Sequence, residues 1–119
     1  MIPRKQELAI YDYIYLTVMV EMLEGKTAKG INLDEPIRTV LKELAIVKNF
    51  MRQNYIRVHD PIVDEDRLFV TFKYTIKVNG GYREGFHKFW RSALVMIINK
   101  KLKQMQKGET IIEFATYTG

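Results

Sequence analysis

A segment of alternating apolar residues followed by a glycine turn is the feature that most constrains this fold. From Leu68 to Val78 the apolar side chains recur at every second position, which is the period of a β-strand with one buried face. Asn79-Gly80-Gly81 comes next, and these residues tolerate the positive φ angles of a tight turn. The sequence therefore predicts a β-hairpin. One face of its first strand would carry Leu68, Val70, Phe72, Tyr74, Ile76 and Val78, and the other face Phe69, Thr71, Lys73, Thr75 and Lys77.

The segments on either side of this strand are less constrained. Tyr82 to about Lys88 is either the return strand of the hairpin or the start of the next helix. Gly85 within it indicates a bulge or a point of close approach. Asn54–Asp60 is short and β-prone, and Pro61 follows it in a connection. We therefore expect a small antiparallel sheet.

Two helices are predicted before the sheet. Pro3 suits the first turn of a helix that is expected to end at Gly25. Apolar residues cover much of its circumference, so this helix is either central to the fold or half of a dimer seam. Asp34 is typical of an N-cap, and helical spacing continues to about Gln53. The apolar stripe of the second helix would hold Ile37, Val40, Leu41, Leu44, Val47 and Met51.

A third, basic helix is predicted from about Phe89 to about Gln106, ending at Gly108. Lysines gather in its last turns, where cations stabilise the negative end of the helix dipole. Thr110–Thr118 is predicted as a short C-terminal strand that joins the sheet edge. The element order indicates a single α+β domain over residues 1–119. The buried stripe of the third helix would hold Trp90, Ala93, Leu94, Ile97, Ile98, Leu102 and Met105.

Composition excludes several classes of protein. The chain has no cysteine, which excludes disulfides, thiol catalysis and cysteine-ligated metals. Its apolar run from Leu8 to Leu23 contains Asp12 and Glu21, falls short of the roughly 20 residues of a membrane span, and precedes no cleavage site. We therefore expect a cytoplasmic protein that is neither secreted nor inserted in a membrane.

Positive charge is concentrated in one part of the chain. Between Arg67 and Lys107 there are ten basic residues and one acidic residue, Glu84, whereas the rest of the chain has nine basic and thirteen acidic residues. A one-sided positive field attracts polyanions, and the aromatic residues interleaved here could stack on bases. The alternative is a solvated basic face, in which the lysines protect strand edges and complement the helix dipole, and aromatics such as Phe72, Tyr74 and Trp90 belong to the core. The candidate anion-binding residues are Lys73, Lys77, Arg83, Lys88, Arg91, Lys100, Lys101, Lys103 and Lys107.

Other motifs point to chemistry only weakly. His59-Asp60 with Asp64–Asp66 could hold a divalent cation, but the spacing is not that of an EF-hand, and an acidic turn is the simpler interpretation. His87 lies near Ser92, the only serine, without a nucleophile-elbow motif around it. Gly25-Lys26-Thr27 lacks the first glycine of a phosphate-binding loop. We expect no catalytic residue, no bound metal and no cofactor.

These observations favour a small non-enzymatic homodimer that binds an anionic partner, either nucleic acid, which we place first, or an acidic protein. Self-association is expected through the apolar first helix. The alternative is a homo-oligomeric protein–protein adaptor with no nucleic-acid role. A third hypothesis is a metal-dependent hydrolase or nuclease built on His59–Asp66. No RNP, KH, zinc-finger or G-x-x-G signature is present to name a specific ligand.

Overall fold

The predicted β-hairpin is the largest part of an antiparallel sheet. The computed structural model, which describes residues 2–118, has an α+β fold with three α-helices and four strands. The molecule is 20 Å across its shortest axis, which fits one layer of helices on one sheet. Within residues 2–118, none of the helices has the length and hydropathy needed to cross a membrane. The elements are α1 (Arg4–Thr27), α2 (Asp34–Gln53), β1 (Ile56–Val58), β2 (Ile62–Val63), β3 (Phe69–Val78), β4 (Gly81–Trp90), α3 (Arg91–Gln106) and a 3-10 helix (Phe114–Thr116).

β3 lies at the centre of the sheet and pairs on both sides. β4 pairs with it along its whole length, from Phe69 opposite Trp90 to Val78 opposite Gly81. On the other side β1 and β2 pair in turn with β3, and the register shifts by one residue between them, around Pro61. One edge of the sheet is therefore formed by two short strands. The other edge, β4, is continuous over 10 residues.

The turn between β3 and β4 lies where the sequence predicts it. Gly80 and Gly81 have φ angles of 89° and 146°, which glycine adopts far more readily than other residues. The chain therefore returns directly as a strand. Of the two alternatives for the segment from Tyr82 to Lys88, the return strand is confirmed and the start of a helix is wrong.

The first helix is the centre of the helical layer. Every residue of α1 from Leu8 to Val20 is at least partly buried, and α2, α3, the 3-10 helix and β1 all contact it. Its apolar circumference thus indicates a central position, which is one of the two predicted alternatives. Val18, Val20 and Met22 of this helix are still partly exposed, and the self-association predicted through it stays a prediction.

Two predicted positions in the helices are wrong. α1 continues through Gly25 to Thr27, because a glycine near a helix end costs only about 1 kcal/mol. Trp90, predicted on the buried stripe of the third helix, is instead the last residue of β4 and is exposed. Its ring packs against Phe69 of the neighbouring strand, with 4.2 Å between the ring centroids.

The C-terminal strand predicted over Thr110–Thr118 is also wrong. The tail lies on the helical layer and contains only a short 3-10 helix. The backbone N–H groups of Glu113 and Phe114 both donate to the Asp12 carboxylate, at 2.9 Å from its Oδ2. The Phe114 ring packs against Phe50, with 4.7 Å between centroids. Because the buried carboxylate satisfies these donors, the tail needs no strand partner.

Gly85 is the point of close approach that the sequence indicates. It lies opposite Tyr74 in the β3–β4 register, and a Cβ added to it would overlap the Tyr74 ring. The tyrosine ring therefore occupies the space that any larger side chain at this position would need.

Replacing Gly85 by alanine is expected to lower the free energy of unfolding by about 1–3 kcal/mol, because the new methyl group displaces the Tyr74 ring. Urea unfolding followed by circular dichroism measures this change.

The matched control is Gly25→Ala. No atom lies within 4 Å of a Cβ added to Gly25, and alanine is the better helix former, so stability should rise by up to about 1 kcal/mol. Equal destabilisation by the two substitutions would contradict the role given to Tyr74.

Candidate nucleic-acid interface

The helices cover one side of the sheet, and no described element covers the other. Successive strand residues point to opposite sides, and Phe72 and Ile76 of β3 are buried on the helical side. Their neighbours in β3, with the β4 residues that pair with them, face away from the helices. We call this side the outer face. Its members are Arg57, His59 and Ile62 from the β1–β2 edge, Phe69, Thr71, Lys73, Thr75 and Lys77 from β3, and Tyr82, Glu84, Phe86, Lys88 and Trp90 from β4.

Aromatic rings on the outer face are open to solvent. Tyr82, Phe86 and Trp90 are 67%, 62% and 56% exposed. All three come from β4, where they alternate with charged residues along one side of the strand. Large aromatic side chains this exposed, and this close together, are typical of an interaction surface.

Cations lie over or beside these rings at both ends of the outer face. At one end the Lys88 ammonium is 4.4 Å from the centroid of Phe69, which itself packs against Trp90. At the other end the Lys77 ammonium is 4.6 Å from the ring of Tyr55, and Lys77 pairs across the strands with Tyr82. Such cation–π contacts hold the two ammonium groups against the rings of Phe69 and Tyr55.

A depression of about 400 Å³ lies between the two ends of the outer face. Its wall includes Lys73 and Phe86, which pair across β3 and β4, and the acidic residue Glu84. On the opposite wall His59 Nε2 lies 3.3 Å from Thr75 Oγ1. The depression thus brings a ring, a cation and hydrogen-bonding groups together on the outer face.

The outer face carries a net positive charge. Arg57, Lys73, Lys77 and Lys88 are all exposed on it. Glu84 is the sole acidic member among its described strand residues. The face therefore attracts anions, with the strength of attraction falling as salt rises.

The candidate anion-binding residues divide into separate groups. Lys73, Lys77 and Lys88 lie together on the outer face, whereas Arg83 pairs with Ile76 on the helical side of β4. Arg91 begins α3, where its guanidinium donates to the backbone carbonyl of Arg67 at 3.3 Å. The exposed lysines of the helix belong to the helical layer: Lys100, Lys103 and Lys107.

The prediction that Lys101 belongs to the basic surface is wrong. Its side chain is buried, with the residue 6% exposed, and its ammonium donates to the Ile111 carbonyl at 3.0 Å. The same ammonium lies 3.9 Å from a carboxylate oxygen of Glu113 and 5.3 Å from the Tyr15 ring centroid. Lys101 therefore fastens the C-terminal tail to the helical layer.

Asp12 is the acidic counterpart of Lys101 in this buried cluster. It is 1% exposed, and burial raises the pKa of its carboxyl to about 6. The hydrogen bonds from Phe114 and Glu113, together with the charge of Lys101, act in the opposite direction. The net effect is that the folded protein holds a proton on Asp12 more tightly than the unfolded chain does.

The acidic segment after β2 is a turn stabilised by one of its own side chains. Asp64 Oδ1 accepts hydrogen bonds from the backbone N–H groups of Leu68 and Phe69, at 2.9 and 3.1 Å. Within residues 2–118, no three histidine or acidic side chains converge as metal ligands. The acidic-turn interpretation of His59–Asp66 is therefore the one that the geometry favours.

His87 lies on the helical side of β4, between two tyrosines. Its ring centroid is 4.2 Å from that of Tyr11 and 5.3 Å from that of Tyr74. Burial lowers the pKa of His87, which favours the neutral imidazole. The ring therefore packs as an aromatic side chain.

The sequence contained a signal for the outer face that its periodicity alone did not expose. Once the hairpin turns at Asn79-Gly80, the pairing of β3 with β4 follows by counting. That counting sets Phe86 opposite Lys73 and Trp90 opposite Phe69. The register that buries the apolar residues of β3 therefore sets Tyr82, Phe86 and Trp90 on the outer face, whereas Phe89 of the same strand packs against the core.

Comparison of this chain with family models, with curated proteins and with solved structures finds no match. Its function is therefore inferred from the residues themselves.

The raised pKa of Asp12 predicts a specific dependence of stability on pH. Because the pKa is higher in the folded state, the contribution of Asp12 is complete below the unfolded-state value of 3.8 and is lost as pH rises through about 6. We expect this loss to be about 2 kcal/mol in the free energy of unfolding between roughly pH 4 and pH 7.

Urea unfolding across that pH range, compared between the protein and Asp12→Asn, isolates the effect because the variant cannot titrate. Glu109→Gln removes an exposed carboxylate of the same C-terminal segment that is not among the charges acting on Asp12 and serves as the control. Identical pH profiles for the protein and Asp12→Asn would contradict the assignment.

Proposed function

We propose that this protein binds single-stranded nucleic acid on the outer face of its sheet. The observation that carries the proposal is the set of solvent-exposed rings, Tyr82, Phe86 and Trp90, interleaved with exposed lysines on one uncovered surface. Stacking on aromatic side chains contributes about 1–3 kcal/mol per base and tolerates any base. Lysines beside the rings neutralise the phosphates that accompany the bases.

The arrangement favours single strands over duplexes. Bases can stack on a protein ring only when they are unpaired and can turn outward. Phe86 and Trp90 lie about 14 Å apart along one strand, at four residues of about 3.4 Å each. On β3, Lys73 faces Phe86 and Lys77 faces Tyr82, so the phosphate backbone can run along the sheet while successive bases reach the rings.

An acidic protein is the competing partner for a positive surface. Its carboxylates would pair with the lysines, but they supply no aromatic faces to stack on the three exposed rings. A single strand uses both features, so we place nucleic acid first. The two partners differ in a measurable way, because only the strand requires rings that are aromatic rather than merely apolar.

The single tryptophan of the chain reports on the proposed contact directly. Trp90 is the only tryptophan, and stacking of a base on it is expected to quench its fluorescence. Titration with single-stranded RNA and DNA of about 12 nucleotides should give saturable quenching. Duplexes of the same sequence should bind more weakly.

Phe86→Leu separates aromatic from apolar contacts. The variant keeps an apolar side chain but loses the ring face, so affinity should fall about tenfold, the value of one stacked base. Met96→Leu is the matched control, because Met96 is 72% exposed on α3, away from the outer face. Equal affinities for the three proteins in fluorescence anisotropy would overturn the stacking model.

Charge contributions are tested by the salt dependence of binding. Lys73→Gln and Lys77→Gln should each reduce the slope of log affinity against log salt by about 0.7, the value for one phosphate of a single strand. Lys100→Gln removes an exposed lysine of α3 and should leave the slope unchanged. A larger effect from Lys100 than from Lys73 would move the interface to the helical layer.

A further inference from the structure

The sheet has two edges of very different character. The β1–β2 edge is short and is interrupted at Pro61 by a shift of register. The β4 edge runs without a bulge from Gly81 to Trp90 and contains no proline. Within residues 2–118, the one strand that pairs with β4 is β3. A long regular edge of this kind is a template for another strand, and proteins usually interrupt or cover it.

The backbone groups that face this free edge can be identified. In an antiparallel pair, residues alternate between those that bond to the neighbouring strand and those whose N–H and C=O point away. Arg91 N–H donates to Leu68 O at 2.9 Å. In β4 the backbone groups of the odd-numbered residues therefore bond to β3. The free donors and acceptors of β4 therefore belong to Tyr82, Glu84, Phe86, Lys88 and Trp90.

We propose that β4 pairs antiparallel with β4 of a second copy of this chain, about a two-fold axis at Phe86. Phe86 then lies opposite the partner's Phe86, with both N–H···O bonds exchanged. Glu84 lies opposite the partner's Lys88, and Tyr82 lies opposite the partner's Trp90. Every pair in this register uses the backbone groups that β3 leaves free.

Other self-pairing registers are less complementary. An axis at Glu84 sets two glutamates opposite each other, and an axis at Lys88 does the same for two lysines. An axis midway between Phe86 and either of these two residues sets Glu84 opposite an aromatic ring of the second copy. Like charges directly opposite each other destabilise a sheet, whereas opposite charges and aromatic pairs stabilise it. The order of residues in β4 thus favours the axis at Phe86.

Lysine on an edge strand often discourages pairing. In β4, however, Glu84 and Lys88 lie at equal distances on the two sides of Phe86. The two-fold axis therefore sets each lysine opposite a glutamate of the other copy, and the two charges cancel. The resulting dimer joins two outer faces into one continuous surface. This dimer does not depend on the proposed nucleic-acid binding, and its tests are made without nucleic acid.

Site-specific cross-linking tests the register. The chain has no cysteine, so Phe86→Cys introduces a single thiol at the axis, where Cα atoms of a hydrogen-bonded pair are about 5.5 Å apart. A bismaleimide of about 8 Å should join two copies in high yield. The control is Tyr82→Cys, because its two thiols would lie about 27 Å apart, at eight residues of 3.4 Å each.

Exchange of charge tests the same register in a second way. Glu84→Lys and Lys88→Glu each set like charges opposite each other, so the dissociation constant of each homodimer should rise roughly tenfold. An equimolar mixture of the two variants restores opposite charges at both pairs and should dimerise as tightly as the original protein. Sedimentation equilibrium after nuclease treatment measures these constants.

Phe86→Pro removes a backbone donor that faces the free edge and is not bonded to β3. We expect a monomer with unchanged circular dichroism. The proposal is overturned if the unmodified protein has the mass of one chain at about 100 µM, well above the micromolar range of weak complexes. It is equally overturned if Tyr82→Cys cross-links as well as Phe86→Cys, or if mixing the charge variants restores nothing.

Discussion

Burial of the first helix is the constraint on which the rest of the structure depends. α1 is apolar around most of its circumference, so it is stable only when neighbours surround it. α2, α3, the C-terminal tail and one side of the sheet together supply that cover. A chain of 119 residues has then used every helix on one side of the sheet. The outer face is left open as a direct consequence, and its exposed rings define the surface that the proposed function uses.

A buried polar cluster closes the same layer. Asp12 binds two backbone N–H groups of the tail, and Lys101 binds a carbonyl of the tail from the opposite helix. Buried charges persist only when they are hydrogen-bonded or paired, and here both side chains hold backbone groups that lack other partners. Lys101, which is one of the ten basic residues between Arg67 and Lys107, thus has a structural role. The surplus of positive charge on the surface is correspondingly smaller than the count indicates.

β4 connects the two proposals. In a strand, the residues whose side chains share one face also share the direction of their backbone groups. Tyr82, Glu84, Phe86, Lys88 and Trp90 therefore present side chains to the outer face and hydrogen-bonding groups to the free edge. One alternating set of residues provides both a stacking surface and a self-complementary edge. Pairing at that edge would double the stacking surface without changing the fold of either copy.

The sequence by itself determined the α+β class, the second helix and the hairpin, because each depends on local periodicity, a cap or a glycine turn. It also brought Lys73 and Lys77 to one face, since alternation along a single strand decides that. Tertiary structure decided what depends on contacts distant in sequence. Trp90 is exposed because the strand register sets it beside Phe69 on the outer face. The C-terminal tail binds the Asp12 carboxylate and does not pair with a sheet edge. Lys101 is buried by that tail. Local patterns fix which residues share a face, but only packing fixes which face is covered.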